Sequence, residues 1–153
     1  MKVFSTYLVA VALGCTLLGC SKKEDATPSK TELLTNKNWV VTAFTVSPGV
    51  SVGGTTITDV YAQTPACSRD DISRFETPNV FKDDEGASKC NATDPQTITG
   101  TWVFNSDQTV LTVTENGSAQ SFNISSLTSN QMVLTVSQVA NNVTYTYTIT
   151  YKS

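Results

Sequence analysis

Val143-Thr144-Tyr145-Thr146-Tyr147-Thr148-Ile149-Thr150-Tyr151 is the stretch whose reading decides the fold. Valine, tyrosine and isoleucine fall on one side of a two-residue period and threonine on the other. That is the pattern of a β-strand with one covered face and one wet face. Working back from it, Met132, Leu134 and Val136 share a face on the preceding strand. Glu115-Asn116-Gly117-Ser118 is the strongest turn, because Asn-Gly accepts the positive φ angles of a type I′ loop. It joins Gln108–Thr114 to a strand that starts at Gln120, and Ser106-Asp107 turns Gln108–Thr114 back onto Ile98–Asn105.

Earlier in the chain, Asp71–Glu76 and Val80–Asp84 flank the turn Thr77-Pro78-Asn79. Thr56–Ala62 reads as a strand anchored by Ile57 and Tyr61. Trp39–Val46 places Trp39, Val41, Ala43 and Thr45 on one face and Val40, Thr42, Phe44 and Val46 on the other. Between these two, the Gly-rich Pro48–Thr55 segment reads as a flexible connection, either a lid over one end of the domain or a plain hairpin loop. Glu32-Leu33-Leu34 is a short helical turn that plugs one end. About nine strands follow one another with short turns. Parallel crossovers need roughly a dozen residues and usually a helix, so the strands are antiparallel. The expectation is an all-β, antiparallel, up-and-down barrel of eight or nine strands, with a two-sheet sandwich as the alternative.

The N-terminus carries an address. Lys2 precedes the apolar run Val3–Leu18, too short for a membrane span and suited to a signal peptide. Leu17-Leu18-Gly19-Cys20 resembles the lipobox of bacterial lipoproteins. That resemblance implies cleavage after residue 19 and acylation (palmitate among the chains) of Cys20. Each buried methylene adds about 0.8 kcal/mol of membrane affinity, and several chains hold firmly. Residues 20–31 then read as a charged tether, and 32–153 as the folded domain. Ser21 after the cysteine argues against inner-membrane retention. Lys23-Glu24-Asp25 resembles the export signal of Bacteroidota surface lipoproteins. The expected location is the outer membrane, lipid-anchored at the cell surface, with the periplasmic face as the alternative.

Composition narrows the chemistry. The chain has 153 residues, net charge −3 and no histidine. A Ser-His-Asp triad and a His-containing zinc site are excluded. No basic patch offers counterion release, so nucleic acid is not an expected partner. Cys67 and Cys90 lie in a compartment that permits disulfides, and Cys15 and Cys20 are otherwise committed, so these two pair. Two thiolates without histidine make a poor metal site. Asp70-Asp71 and Asp83-Asp84-Glu85-Gly86 form an acidic edge between the cysteines. Their spacing is not that of an EF-hand loop, and solvated turns explain them better than Ca²⁺. No carboxylate pair is singled out for hydrolysis.

Asn38-Trp39, Asp59-Val60-Tyr61-Ala62-Gln63, Cys67-x-x-Asp70-Asp71 with Phe75, Asp84-Glu85-Gly86 with Lys89-Cys90, Asp94-Pro95-Gln96 and Gly100-Thr101-Trp102-Val103-Phe104 resemble the lipocalin-like domain of Bacteroidota lipoproteins. The resemblance spans Leu33–Lys152. It implies a small calycin-type barrel. The Gly-x-Trp of true lipocalins is not kept, since Asn38 precedes Trp39 and no glycine stands in that place. Eight strands enclose just enough room for one small ligand, or for the barrel's own side chains. The expected ligand-lining residues are Trp39, Trp102, Phe104, Tyr145 and Tyr147, with Tyr151 as a further aromatic that could line the cavity, and no cofactor and no metal. The function expected is carriage of a small apolar ligand without catalysis. The alternative is a filled barrel acting as a structural or protein-interaction module of the cell envelope.

Overall fold

The computed structural model describes residues 27–153. The signal peptide, the lipobox with Cys20 and most of the tether lie outside the described residues. The elements are α1 (Lys30–Leu34), β1 (Val40–Val52), β2 (Thr55–Asp59), β3 (Ile72–Glu76), β4 (Val80–Asp84), β5 (Thr97–Phe104), β6 (Val110–Glu115), β7 (Ser118–Leu127), β8 (Gln131–Ala140) and β9 (Val143–Lys152). All nine strands form one antiparallel sheet in the order β2-β1-β9-β8-β7-β6-β5-β4-β3. From β3 to β9 each strand pairs with the next, as an up-and-down chain of strands should.

The sheet curls but is not closed by a further ladder. Its two sides meet at one antiparallel bridge, where Trp39 and Ser73 exchange both backbone hydrogen bonds at 2.9 Å. That single bridge, just ahead of β1, stands where a closed barrel has a full strand pairing. β2 lies outside this seam as an added edge strand on β1.

Three tight turns have the same cause. Asn116-Gly117 (φ 47° and 77°) joins β6 to β7, Asn141-Asn142 (51° and 61°) joins β8 to β9, and Gly53-Gly54 (57° and 83°) joins β1 to β2. Two successive positive φ angles define the I′ loop whose twist matches a hairpin. The last of these overturns the expected connection at Pro48–Thr55. The strand continues through Val52, and Val52 pairs with Thr55 across two glycines. There is no long loop there and no lid. Pro48 has no N–H for a ladder, and the β1–β2 register slips between Thr45 and Val50.

A second correction concerns β1. Val41 pairs with Tyr151 but Ala43 pairs with Thr150, so one extra residue is inserted between them. A bulge of this kind reverses the alternation. Phe44 and Val46 consequently stand on the same face as Trp39, and Val46 is buried. The expected strand at Thr56–Ala62 ends early at Asp59, and Tyr61 belongs to a 3-10 turn, Tyr61–Gln63. Arg69 lies over the Tyr61 ring at 5.3 Å and donates to the Thr64 and Ala62 carbonyls.

One end of the sheet is plugged as expected. Ser29 and Glu32 form a capping box, each side chain bonding the other's backbone N–H, which fixes α1 despite its length. Leu34 is fully buried, and the Trp39 Nε1–H donates to its carbonyl at 2.8 Å. Lys30 donates to the Gln108 carbonyl and Lys37 to that of Ser129, tying this segment to the β5–β6 and β7–β8 turns. Around it the core comprises Leu34, Trp39, Phe75, Phe81, Trp102, Leu111, Met132 and Leu134. Full burial of a leucine such as Leu111 contributes about 2 kcal/mol.

Candidate functional site

In an antiparallel ladder, directly paired residues project to the same face. Ser73 pairs with Asp83 and Phe75 with Phe81; Val113 pairs with Gln120 and Glu115 with Ser118. These eight side chains share the concave face. Together with Asn116, Phe122, Leu134 and Tyr151 they line a cavity of about 490 Å³. The volume lies in the range of small-molecule sites. Phenylalanines and aliphatic groups form one part of the wall. Asp83, Glu115, Ser118, Gln120 and the Tyr151 phenol form the other. Asn116, on the β6–β7 turn, stands at its edge.

Gly100 helps to shape this wall. Gly100 lies on β5 and pairs with Phe81 on β4, and a Cβ on it would overlap the Thr114 carbonyl oxygen and reach the Glu115 side chain at 3.0 Å. A strand glycine of this kind marks a close backbone approach. Here it lets Glu115 lie across β5.

The carboxylates are electrostatically strained. Burial, then the charge of Glu115 and that of Glu85, push the Asp83 carboxyl up to about 6. Burial raises Glu115, and its Oε1 has no hydrogen-bond partner among the described residues. Burial and the charge on Asp83 push the Tyr151 phenol up to about 12. The cause is common: three oxygen acids share one poorly hydrated space with no counter-ion in its wall.

Residues 35–134 match the lipocalin-like domain family. The chain belongs to that family. No curated protein matches it. In this lipocalin-like chain no residue of α1 lines the cavity.

The five aromatic residues expected as ligand contacts are placed elsewhere by this lipocalin-like chain. Trp39 is fully buried under α1. Trp102 is buried, donates from Nε1–H to the Glu76 carbonyl at 3.0 Å, and meets Phe104 edge-on at 5.4 Å. Both indoles have spent their donors on backbone carbonyls. Phe104 packs against the same core. Tyr147 lies 5.9 Å from Phe44, and Tyr145 pairs with Gln138 farther out on the β8–β9 hairpin. None of the five lines the cavity.

Of the lining residues, Tyr151 is the one that the sequence also offered for a cavity; Phe75, Phe81, Phe122 and Glu115 were not singled out, and Asp83 was read only as part of the acidic edge. The signal was present in part: Phe81-x-Asp83 and Val113-x-Glu115 both alternate onto one face.

The cysteines meet as expected. Cys67 and Cys90 are disulfide-bonded, with Cα atoms 5.1 Å apart. The bond ties the β4–β5 connection to the 3-10 turn Ala66–Ser68. Asp70 Oδ2 accepts from the Ala87 and Ser88 amides at 2.8 and 2.9 Å. Asp84 accepts from Gly86, Gln96 and Thr97 and pairs with Arg74 at 3.4 Å. Both carboxylates are thereby engaged in holding the loop. No group of three or more candidate metal ligands occurs among the described residues.

Proposed function

We propose that this chain is a lipid-anchored envelope protein that carries a small, largely apolar molecule in the cavity between β3–β4 and β6–β7, without catalysis. The observation that carries this reading is the cavity itself, of about 490 Å³, one wall of which is built from Phe75, Phe81 and Phe122. A filled interior would leave no such space. Membership of the lipocalin-like family supports the same reading, because the fold suits small ligands. The anchor rests on the lipobox at Cys20, and the location at the outer membrane and cell surface rests on Ser21 and Lys23-Glu24-Asp25.

Native mass spectrometry of the full chain tests the carrier. A discrete non-covalent adduct, lost when Leu134→Trp fills the cavity, is the expected result. A bare chain from every growth condition overturns it. The interaction-module reading, which has the open β2 edge and the exposed Val52 and Val139 behind it, then takes its place. The anchor is tested by the mass of the N-terminal peptide. It should begin at Cys20 and carry acyl chains; an unmodified Cys20 refutes the anchor.

A further inference from the structure

Two of the groups that line the cavity carry charge, Asp83 and Glu115, and both are acids. Neither meets a cation among the described residues. Arg74 and Lys82 pair with each other in the β3–β4 register one step out of phase with Ser73 and Asp83, so they face away from the cavity. There they are engaged with Asp84 and Glu76, at 3.4 and 2.9 Å. Arg69 is committed to Tyr61 and two carbonyls, and Lys89 to the Asp94 carbonyl. The groups around Asp83 are Ser73 on β3, Asp71 just before that strand, Asp84 and Glu85 just after Asp83, Glu115 on β6 and Tyr151 on β9. All are acidic or neutral. Glu115 Oε1 is cut off from water and accepts from no donor among the described residues. An unpaired buried acceptor is costly, and a donor brought by a ligand removes that cost. Phenylalanine faces beside the carboxylates add a second attraction for positive charge.

Resting on the carrier reading, we propose that the cavity takes a small amphiphile with a cationic head, an ammonium or guanidinium group held between Asp83 and Glu115, its apolar body lying on Phe75, Phe81 and Phe122. An anionic head would be repelled by both carboxylates. A bare metal ion would find two carboxylates and otherwise only neutral oxygens, and no group of three or more candidate metal ligands gathers there among the described residues, a poor set for a hard divalent ion. A neutral apolar molecule would leave Glu115 unpaired.

The test uses three probes with one body: 4-phenylbutylamine, 4-phenylbutan-1-ol and 4-phenylbutyrate. Each is titrated calorimetrically into the full chain at about pH 7.5, with buffer and detergent blanks. The amine is expected to bind about tenfold or more tighter than the alcohol, which is about 1.4 kcal/mol, and the acid more weakly than either. Asp83→Asn with Glu115→Gln should bring the amine to within about twofold of the alcohol while alcohol binding persists. That persistence also reports that the double variant is folded. Equal binding of amine and alcohol to the native chain overturns the cationic class and leaves the carrier standing. So does an amine preference that survives in the double variant. If none of the three probes binds, the carrier reading falls as well.

Discussion

Replacing Cys67 and Cys90 together by serine removes the staple at the acidic edge, and the cost follows from the chain. The two residues are 23 positions apart. Closing a loop of that length removes about 11 cal/mol/K from the unfolded ensemble, or roughly 3.4 kcal/mol at 25 °C. Unfolding residues 27–153 carries an entropy of about 0.27 kcal/mol/K, so the double variant should melt about 13 °C lower. Differential scanning calorimetry of the oxidised native chain beside the variant measures this. The native chain in reductant should fall to the same temperature. The loss should also be felt locally. Ala87 and Ser88 donate their amides to Asp70, joining the β4–β5 connection to the segment that follows the Ala66–Ser68 turn. Their hydrogen exchange should quicken more than that of Leu111 in the core. A melting shift below about 3 °C, with unchanged exchange at Ala87 and Ser88, would show that the loop is held by its hydrogen bonds and that the staple reading is wrong.

Asp71 and Asp83 are both raised from 3.8 to about 6, each mainly by burial and then by neighbouring acids. Between those values the native state keeps protons that the unfolded chain has lost. Their contribution is therefore intact below about pH 4 and is lost as pH climbs through 6. Asp83→Asn should gain melting temperature relative to the native chain as pH is raised from about 4 to about 7; a constant or shrinking difference contradicts the strained carboxyl. Gly100→Ala drives a Cβ into the Thr114 carbonyl, a backbone group with little room to yield. Overpacking of this kind costs about 1–3 kcal/mol, and an unchanged urea midpoint would show that Glu115 does not cross β5 as described.

Much of the fold was legible because it is written in two-residue alternation and in turn chemistry. Val143–Tyr151 and Glu115-Asn116-Gly117-Ser118 each needed only local information, and both are strand and turn where expected. Three features needed partners. The bulge between Val41 and Ala43 depends on the register with β9, so Phe44 and Val46 were assigned to the wrong face. Pro48-Gly49 looked like a break, yet pairing with β9 and β2 carries β1 through it to Gly53-Gly54. The seam at Trp39 and Ser73 joins residues distant in sequence, which alternation cannot locate.

The site was harder for the same reason. Large aromatic residues draw attention as ligand contacts, but Trp39 and Trp102 satisfy their own N–H groups and fill the core. The cavity is instead lined where Phe75, Phe81, Glu115 and Phe122 come from four different strands. Only the register of β3 with β4 and of β6 with β7 shows that they share a face. The acids had the opposite problem. Asp70, Asp71, Asp83, Asp84 and Glu85 crowd together in sequence, yet Asp70 and Asp84 bind backbone and side-chain donors in the stapled loop while Asp83 turns inward to the cavity.

The central claim is that the space between β3–β4 and β6–β7 receives the ligand. Its most direct test is a methyl and aromatic NMR titration of the full chain with 4-phenylbutylamine. The methyls of Val113 and Leu134 and the ring of Phe122 should shift together and saturate, while Val46 on β1 and its β9 partner Tyr147 stay in place. Shifts confined to Val46, Tyr145 and Tyr147, with Val113 and Leu134 unmoved, would contradict the account.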